Sequence, residues 1–304
     1  MMASPLPDSP KAPTSGRRLR GLATITALAR PLDLRHASNR FAVAWTTVAF
    51  VTIAAAMVGT GRAAGDAGRE ALIVALGVFI AWGLGRELDP DQPFTGRWAA
   101  ILALPFAAIL GPSSLLASAT VMVMARVLVR TTGLAPSGRD LAVLVVGAIV
   151  TAHTLAGAVA ALVLATAMVA DLRFEDHAPA GPIAVAAIDI VIGGAFVLAV
   201  ADPMPWARPA AAELAIATFV LLGLAPGPST RLRAVGDVTG LPLDSRRLAM
   251  ARRLALLAVP AALLVGGEDE VTRLSPVVAS LAGLGLANIR RSWQRRAGRL
   301  AAST

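Results

Sequence analysis

The chain has 304 residues, of which 56% are hydrophobic and 15% are charged, compared with about a quarter charged in soluble domains. Its mean hydropathy is +0.68 and its formal net charge is +9. This composition argues against a soluble globular protein, and the absence of cysteine excludes disulfides and thiolate chemistry.

The N-terminal segment 1–40 is expected to be a basic cytoplasmic tail. Residues 1–16 are rich in Pro, Ser and Ala and have no apolar core, which predicts partial disorder rather than a signal peptide. Residues 17–30 mix Leu and Ile with arginines, a pattern typical of a short helix that lies on the membrane surface. At the other end of the chain, residues 290–304 predict a second basic cytoplasmic tail.

Residues 41–289 predict a single transmembrane domain. Apolar runs of the length of one membrane helix lie at 41–59, 70–86, 183–201, 207–224, 246–266 and 274–289. Two further stretches, 98–129 and 141–170, would each extend about 45 Å as one helix, against a hydrocarbon core of about 30 Å. We interpret each as a tight hairpin of two short helices, broken at Gly111–Ser114 and near His153–Gly157.

The sequence thus predicts an all-α, polytopic membrane bundle of about ten transmembrane helices in five antiparallel hairpins. With that threading, 24 of the 28 Lys and Arg residues fall on one side. The positive-inside rule makes that side cytoplasmic, so we expect a multi-pass plasma (inner) membrane protein with both termini in the cytoplasm. If the two long stretches were single helices the count would be eight, with the same orientation.

Small residues recur within the predicted spans, among them Gly83, Gly85, Gly147 and Gly283. Such residues allow helix backbones to approach closely, so we interpret them as packing positions. Neither Gly83–Gly85 nor Gly283–Gly285 continues into the third glycine of a dinucleotide-binding loop, and we expect no cofactor.

Three ionisable side chains fall within or beside the apolar runs. Asp189 lies deepest, Glu213 lies on the returning span, and His153 lies at the predicted outer turn. An ionisable group in hydrocarbon costs several kcal/mol, so each is a candidate functional residue. The alternative is that Asp189 is protonated and fixes helix packing, and that His153 is an interfacial turn residue.

Acidic side chains also cluster in two cytoplasmic loops, at Glu87, Asp89, Asp91, Asp171, Glu175 and Asp176. At headgroup level such carboxylates could hold Mg²⁺ against a phosphate, but their spacing does not match the aspartate motifs of membrane prenyltransferases or CDP-alcohol phosphotransferases. The alternative is that they end and start helices, as Asp89-Pro90-Asp91 would, while Asp244 would cap the next helix.

A basic stretch precedes the run at 246–266, and it contains Arg231, Arg233, Arg246, Arg247, Arg252 and Arg253. The expected partners are therefore the lipid bilayer and anionic headgroups at the cytoplasmic face, and not nucleic acid; protein partners are not indicated.

Three functions remain open at this stage. The first is a small-solute or lipid-linked transporter with Asp189 and Glu213 as protonatable groups. The second is a membrane enzyme acting on isoprenoid or phospholipid phosphates with the loop carboxylates. The third is an accessory or scaffold subunit without a site. No catalytic residue and no metal site is assigned.

Overall fold

The computed structural model describes residues 26–28, 32–174, 190 and 232–301, and all statements below concern these residues. They form eight helices, and the only β-type pairing among them is an isolated bridge between Val235 and Pro242. The helices are α1 (Ala37–Gly59), α2 (Ala64–Leu88), α3 (Pro93–Leu110), α4 (Leu115–Val129), α5 (Gly138–Thr151), α6 (Leu155–Arg173), α7 (Ser245–Arg273) and α8 (Ser275–Ala301).

Five of these helices, α1, α2, α3, α6 and α7, are long and apolar enough to cross a membrane. The all-helical prediction is confirmed, but ten transmembrane helices are not supported. Helices α4 and α5 have 15 and 14 residues, which is roughly 22 Å and short of the hydrocarbon core. Of the predicted spans at 183–201 and 207–224, only residue 190 lies among the described residues.

Local sequence signals set the helix ends. Pro93 begins α3, and Gly111 ends it at a positive φ of 94°. The hydroxyl of Thr154 accepts from the backbone N–H of Gly157 at the start of α6, and the predicted cap Asp244 accepts from Arg246 at the start of α7. Both long stretches are therefore broken, between Leu110 and Leu115 and between Thr151 and Leu155.

The hairpin interpretation of residues 98–129 is wrong, because α3 and α4 hardly touch. Helix α3 packs mainly on α8 and α2, whereas α4 packs on α6, α7 and α2. The turn at Gly111–Ser114 is responsible: it runs across the bundle, and the backbone N–H of Ser114 donates to the carbonyl of Arg273 over 2.9 Å. The result is two groups of helices, α1–α2–α3–α8 and α4–α5–α6–α7, joined through α2 and α4.

Small residues bring α2, α3 and α8 together, as the sequence predicts. A Cβ atom on Gly283 would lie 2.7 Å from the backbone nitrogen of Ala99, and one on Gly85 would lie 3.0 Å from the Cα of Gly96. Gly83 likewise faces Met122, but a Cβ on Gly147 would meet nothing within 4 Å. Close approach therefore explains the glycines of the first group, whereas among the described residues nothing packs against Gly147 on α5.

The outer surfaces of the bundle carry the apolar side chains that a lipid-facing helix needs. Helix α1 exposes Val43, Val48 and Val51, and α5 exposes Val143 and Val146. Exposed aliphatic stripes of this kind are unfavourable in water and suit contact with lipid. The several apolar helices are compatible with an integral membrane protein.

Candidate functional site

The two ends of the bundle differ in charge. One end, called here the arginine-rich end, holds the C-termini of α2, α4 and α6 and the start of α7, which are tied by ion pairs among Glu87, Asp89, Asp171 and their arginine partners. The opposite end holds the turns α1–α2, α3–α4, α5–α6 and α7–α8. It is the end at which the Ser114–Arg273 backbone hydrogen bond forms.

Glu87 is buried between α2 and α4. One of its carboxylate oxygens, Oε1, accepts from the Nε of Arg126 over 3.0 Å, and the same guanidinium donates to the carbonyl of Leu28 over 2.7 Å. Arg126 therefore faces the bundle interior. The other oxygen, Oε2, is buried and has no hydrogen-bond partner among the described residues.

Asp89 joins three helices at the end of α2. It forms ion pairs with Arg252 of α7 at 3.2 Å and Arg291 of α8 at 3.0 Å, and it accepts from the hydroxyl of Thr95 over 2.8 Å. Asp91 has a different role, because its carboxylate accepts from the backbone N–H of Ala234 over 2.7 Å and thereby holds the loop before α7.

Asp171, in the last turn of α6, forms ion pairs with two arginines. Its Oδ2 lies 2.7 Å from Arg130, and its Oδ1 accepts from Arg247 of α7. The guanidinium of Arg247 also lies 5.0 Å from the ring centre of Phe174, within the range of a cation–π contact. Arg247 and Arg252, which the sequence places in a lipid-facing basic stretch, thus face acids of the bundle.

The predicted loop carboxylates do not converge on one point. Glu87, Asp89 and Asp171 each form ion pairs with a separate set of arginines, and Asp91 holds backbone. Within the described part of the chain, no three His, Asp or Glu side chains lie close enough to hold a metal ion. Glu175 and Asp176 lie outside the described residues.

Asp140 is a further buried acid at the arginine-rich end that the sequence analysis passes over. It forms a capping box with Ser137 at the start of α5 and accepts from the hydroxyl of Thr26 and, over 3.1 Å, from the backbone N–H of Ala27. Burial opposes ionisation of this carboxyl, but the hydrogen bonds from Thr26, Ser137 and Ala27 outweigh burial, so its pKa lies below the usual 3.8. Segment 26–28 is thereby bound to the bundle.

The opposite end contains a polar cavity of about 450 Å³. It lies where the turns after α3, α5 and α7 meet, and it is lined by Pro112, Ser113, Ser114, His153, Thr154, Asp269, Thr272 and Arg273. His153, a candidate from the sequence, is thus an exposed turn residue at the rim of this cavity. Helices α4 and α5, whose adjoining turns line the cavity, are joined by a hydrogen bond of 3.2 Å between the buried hydroxyls of Thr120 and Thr151.

Glu270 lies in the last turns of α7 and directly follows the cavity-lining residue Asp269. Its side chain is buried, and its Oε2 accepts from the backbone N–H of Ala156, in the first turn of α6, over 2.7 Å. Its Oε1 lies 3.2 Å from the Nε of Arg273. Residues 268–273 follow Gly267, whose φ of 68° and ψ of −156° interrupt α7, so this short helical segment crosses the ends of α4 and α6.

Glu270 is, after Asp140, a second buried acid that the sequence did not indicate as a candidate. Glu268, Asp269 and Glu270 follow Gly266-Gly267, and this adjacency of acids to a glycine pair was the available signal. Asp189 and Glu213, the leading sequence candidates, lie outside the described residues.

Comparison of the chain with protein-family models, with curated proteins and with solved structures gave no match. The helices and their polar contacts therefore carry the functional argument.

Proposed function

We propose that this protein is a plasma-membrane transporter or permease for a small or lipid-linked solute, which enters or leaves through the polar cavity at the opposite end. The observation that carries the proposal is this cavity, which is lined by residues at the starts of α4 and α6 and at the end of the interrupted helix α7. Its volume is within the range of small-molecule sites, about 300–1,000 Å³.

Helix interruptions around the cavity support transport over a passive scaffold. Helices α4 and α6 begin at its rim, and α7 is broken beside it at Gly267. Transporters place solute sites where helices are discontinuous, because helix termini there have unsatisfied backbone groups that can bind solute or ions. At α4 and α6 some of these groups already have partners, namely the caps Ser114 and Thr154 and the carboxylate of Glu270, so a solute would bind the remaining ones.

The ten-span topology, with both termini in the cytoplasm, is part of this proposal. Asp171, at the end of α6, contacts Arg247, at the start of α7, so the chain leaves and re-enters the described bundle at the same end. In the proposed topology the residues between them would cross the membrane twice. The apolar runs 183–201 and 207–224 would supply two crossings.

Asp189 and Glu213 would then lie on these two added spans as protonatable groups along the solute path. Counted along a helix from the turn at 202–207, they lie about 19 Å and 9 Å below the outer boundary. Groups at these depths would relay protons through water rather than share one directly.

Water access below the cavity tests the proposal. The chain has no cysteine, so Thr120→Cys introduces a single thiol at a site that is buried in the static bundle. In a transporter that opens, a membrane-impermeant thiol reagent should label this thiol from the outside. Val143→Cys on the lipid-facing surface of α5 is the control that should stay unlabelled, and Ser113→Cys at the cavity rim should label rapidly.

Asp189→Cys extends the same test to the predicted path. Labelling at both positions 120 and 189 would support a continuous aqueous path. Rapid labelling at position 113 with none at position 120 or 189 from either side would contradict transport and leave the scaffold alternative.

A further inference from the structure

Two arginines at the arginine-rich end converge on one aromatic ring. The guanidinium carbon of Arg290, on α8, lies 4.0 Å from the ring centre of Phe94, in the first turn of α3. The guanidinium carbon of Arg97, one turn further along α3, lies 5.5 Å from the same ring centre. The two cationic groups can therefore be no farther apart than these two distances combined. We call Phe94, Arg97 and Arg290 the Phe94 cluster.

Among the described residues, the Phe94 cluster holds positive charge without an acidic partner. Elsewhere at this end, Arg126, Arg130, Arg247, Arg252 and Arg291 all contact Glu87, Asp89 or Asp171. Neither Arg97 nor Arg290 forms an ion pair or a hydrogen bond within the described part of the chain. The Nε of Arg97 is moreover buried without a hydrogen-bond partner there. Two neighbouring like charges and a buried unsatisfied donor are unfavourable unless an anion joins them.

The surface beside the cluster indicates where that anion comes from. Trp98 follows Arg97 on α3, and Trp293 lies one turn after Arg290 on α8; their exposed fractions are 37% and 72%. Ile289, next to Arg290, is 44% exposed. Exposed Trp beside arginine is the pattern of the membrane interface, where the indole rings lie at headgroup level. A ligand here would meet cationic groups and an apolar helix surface together.

From this juxtaposition we infer that the Phe94 cluster binds the phosphate of an anionic phospholipid at the cytoplasmic leaflet. Guanidinium groups are planar donors that match phosphate oxygens in pairs, and the buried Nε of Arg97 would gain an acceptor. The acyl chains would lie along α3 and α8 near Trp98 and Trp293. This assignment is independent of whether the protein transports a solute.

Quenching of tryptophan fluorescence by brominated lipid tests the site directly. The full chain is reconstituted into phosphatidylcholine nanodiscs that contain equal fractions of acyl-brominated phosphatidylglycerol or acyl-brominated phosphatidylcholine. Wild-type protein should show stronger quenching with brominated phosphatidylglycerol. The double variant Arg97→Gln/Arg290→Gln should lose that preference, by about fivefold in lipid affinity for each arginine removed.

Matched variants distinguish lipid binding at the Phe94 cluster from general attraction between arginines and anionic lipid. Arg253→Gln removes one exposed arginine at the same end and should keep the preference. Arg97→Lys/Arg290→Lys keeps the charge but loses the planar donor pairs, so this variant should keep only part of the preference for brominated phosphatidylglycerol. If the double Gln variant does not fold, the surface variant Arg290→Gln alone should still reduce the preference.

The source of the phosphate is distinguished by competition. The preference should persist in millimolar inorganic phosphate, because the acyl chains contribute to binding. Loss of the preference in inorganic phosphate would overturn the lipid assignment in favour of a free phosphate. Equal preference in wild type and the double Gln variant would overturn the site altogether.

Discussion

At the scale of single residues, five arginines share three carboxylates at the arginine-rich end. Arg126 is paired with Glu87, while Asp89 and Asp171 each contact two arginines. Removing one partner of a buried ion pair leaves an uncompensated charge and costs about 3–5 kcal/mol. These acids therefore hold helices of both groups in place, whereas Arg97 and Arg290, which have no acidic partner among the described residues, could bind an external anion.

The first prediction concerns Asp140 and the segment 26–28 that it binds. The pKa of Asp140 is lowered in the folded protein, so its ionised form stabilises the bound segment above the unfolded pKa of about 3.8. This stabilisation is lost as pH falls through the lowered pKa. Asp140→Asn should release the segment at neutral pH, because the charged acceptor for Thr26 and Ala27 is gone.

Hydrogen exchange at the backbone N–H of Ala27, corrected for intrinsic rates, measures this effect. Wild-type protein should be protected at pH 6 and 5 and should lose protection only below about pH 4. Asp140→Asn should lack protection throughout, while Glu268→Gln, an exposed acid at the opposite end, should behave as wild type. Protection of Ala27 in Asp140→Asn equal to that in wild type would disprove the role of the carboxylate.

The sequence reveals a contact between two residues only when the partners lie close together along the chain. The cap at Asp244 is predictable, and the Ser137–Asp140 capping box was equally open to prediction, because cap and target lie within three residues. The partner of Glu87 lies 39 residues away, and Arg252 lies 163 residues from Asp89. No local pattern contains such a pair, so the sequence left the loop carboxylates open between a Mg²⁺–phosphate role and helix ends, and did not indicate their ion pairs.

At the scale of helices, the local sequence predicts where a helix ends but does not predict which helix it packs against. The break after Leu110 follows from Gly111-Pro112, whose conformations end a helix. The packing partner of α3 is α8, which begins 165 residues later, and nothing in the local sequence indicates it. Proximity along the chain therefore suggests a hairpin where the structure has two helices in different groups.

The second prediction concerns the contact between α3 and α8. A methyl group at position 283 would lie 2.7 Å from the backbone nitrogen of Ala99 and 2.9 Å from the carbonyl oxygen of Thr95, and backbone atoms cannot move aside as a flexible side chain can. Gly283→Ala should thus destabilise the bundle by about 1–3 kcal/mol, in the range of overpacked cores.

The melting temperature in mild detergent measures the Gly283→Ala effect. Gly147→Ala is the matched control, because a Cβ there meets nothing within 4 Å, and in helix α5 alanine is also the better helix former. We expect a lower melting temperature for Gly283→Ala and an unchanged or slightly higher one for Gly147→Ala. Equal melting temperatures for the two variants would contradict the close approach of α3 and α8.

At the scale of the whole molecule, charge asymmetry and chain connectivity lead to one topology. The arginines that pair with Glu87, Asp89 and Asp171 lie at the end that holds Asp171 and Arg247, and in the proposed topology the positive-inside rule makes this end cytoplasmic. Since α6 ends and α7 begins there, the proposed topology requires residues 175–231 to return to the same side. A turn at 202–207 would then face outward, on the same side as the α1–α2 turn.

Single-cysteine labelling in intact cells tests this topology as the third prediction. Ala63→Cys lies in the exposed α1–α2 turn, Ala135→Cys lies in the exposed loop before α5, and Met204→Cys lies in the predicted turn. An impermeant thiol reagent applied from outside should label positions 63 and 204, and position 135 should react only after the cells are opened. Outside labelling at 63 without labelling at 204 would mean that residues 175–231 do not cross the membrane. Outside labelling at 135 alone would reverse the orientation, and with it the assignment of the Phe94 cluster to the cytoplasmic leaflet.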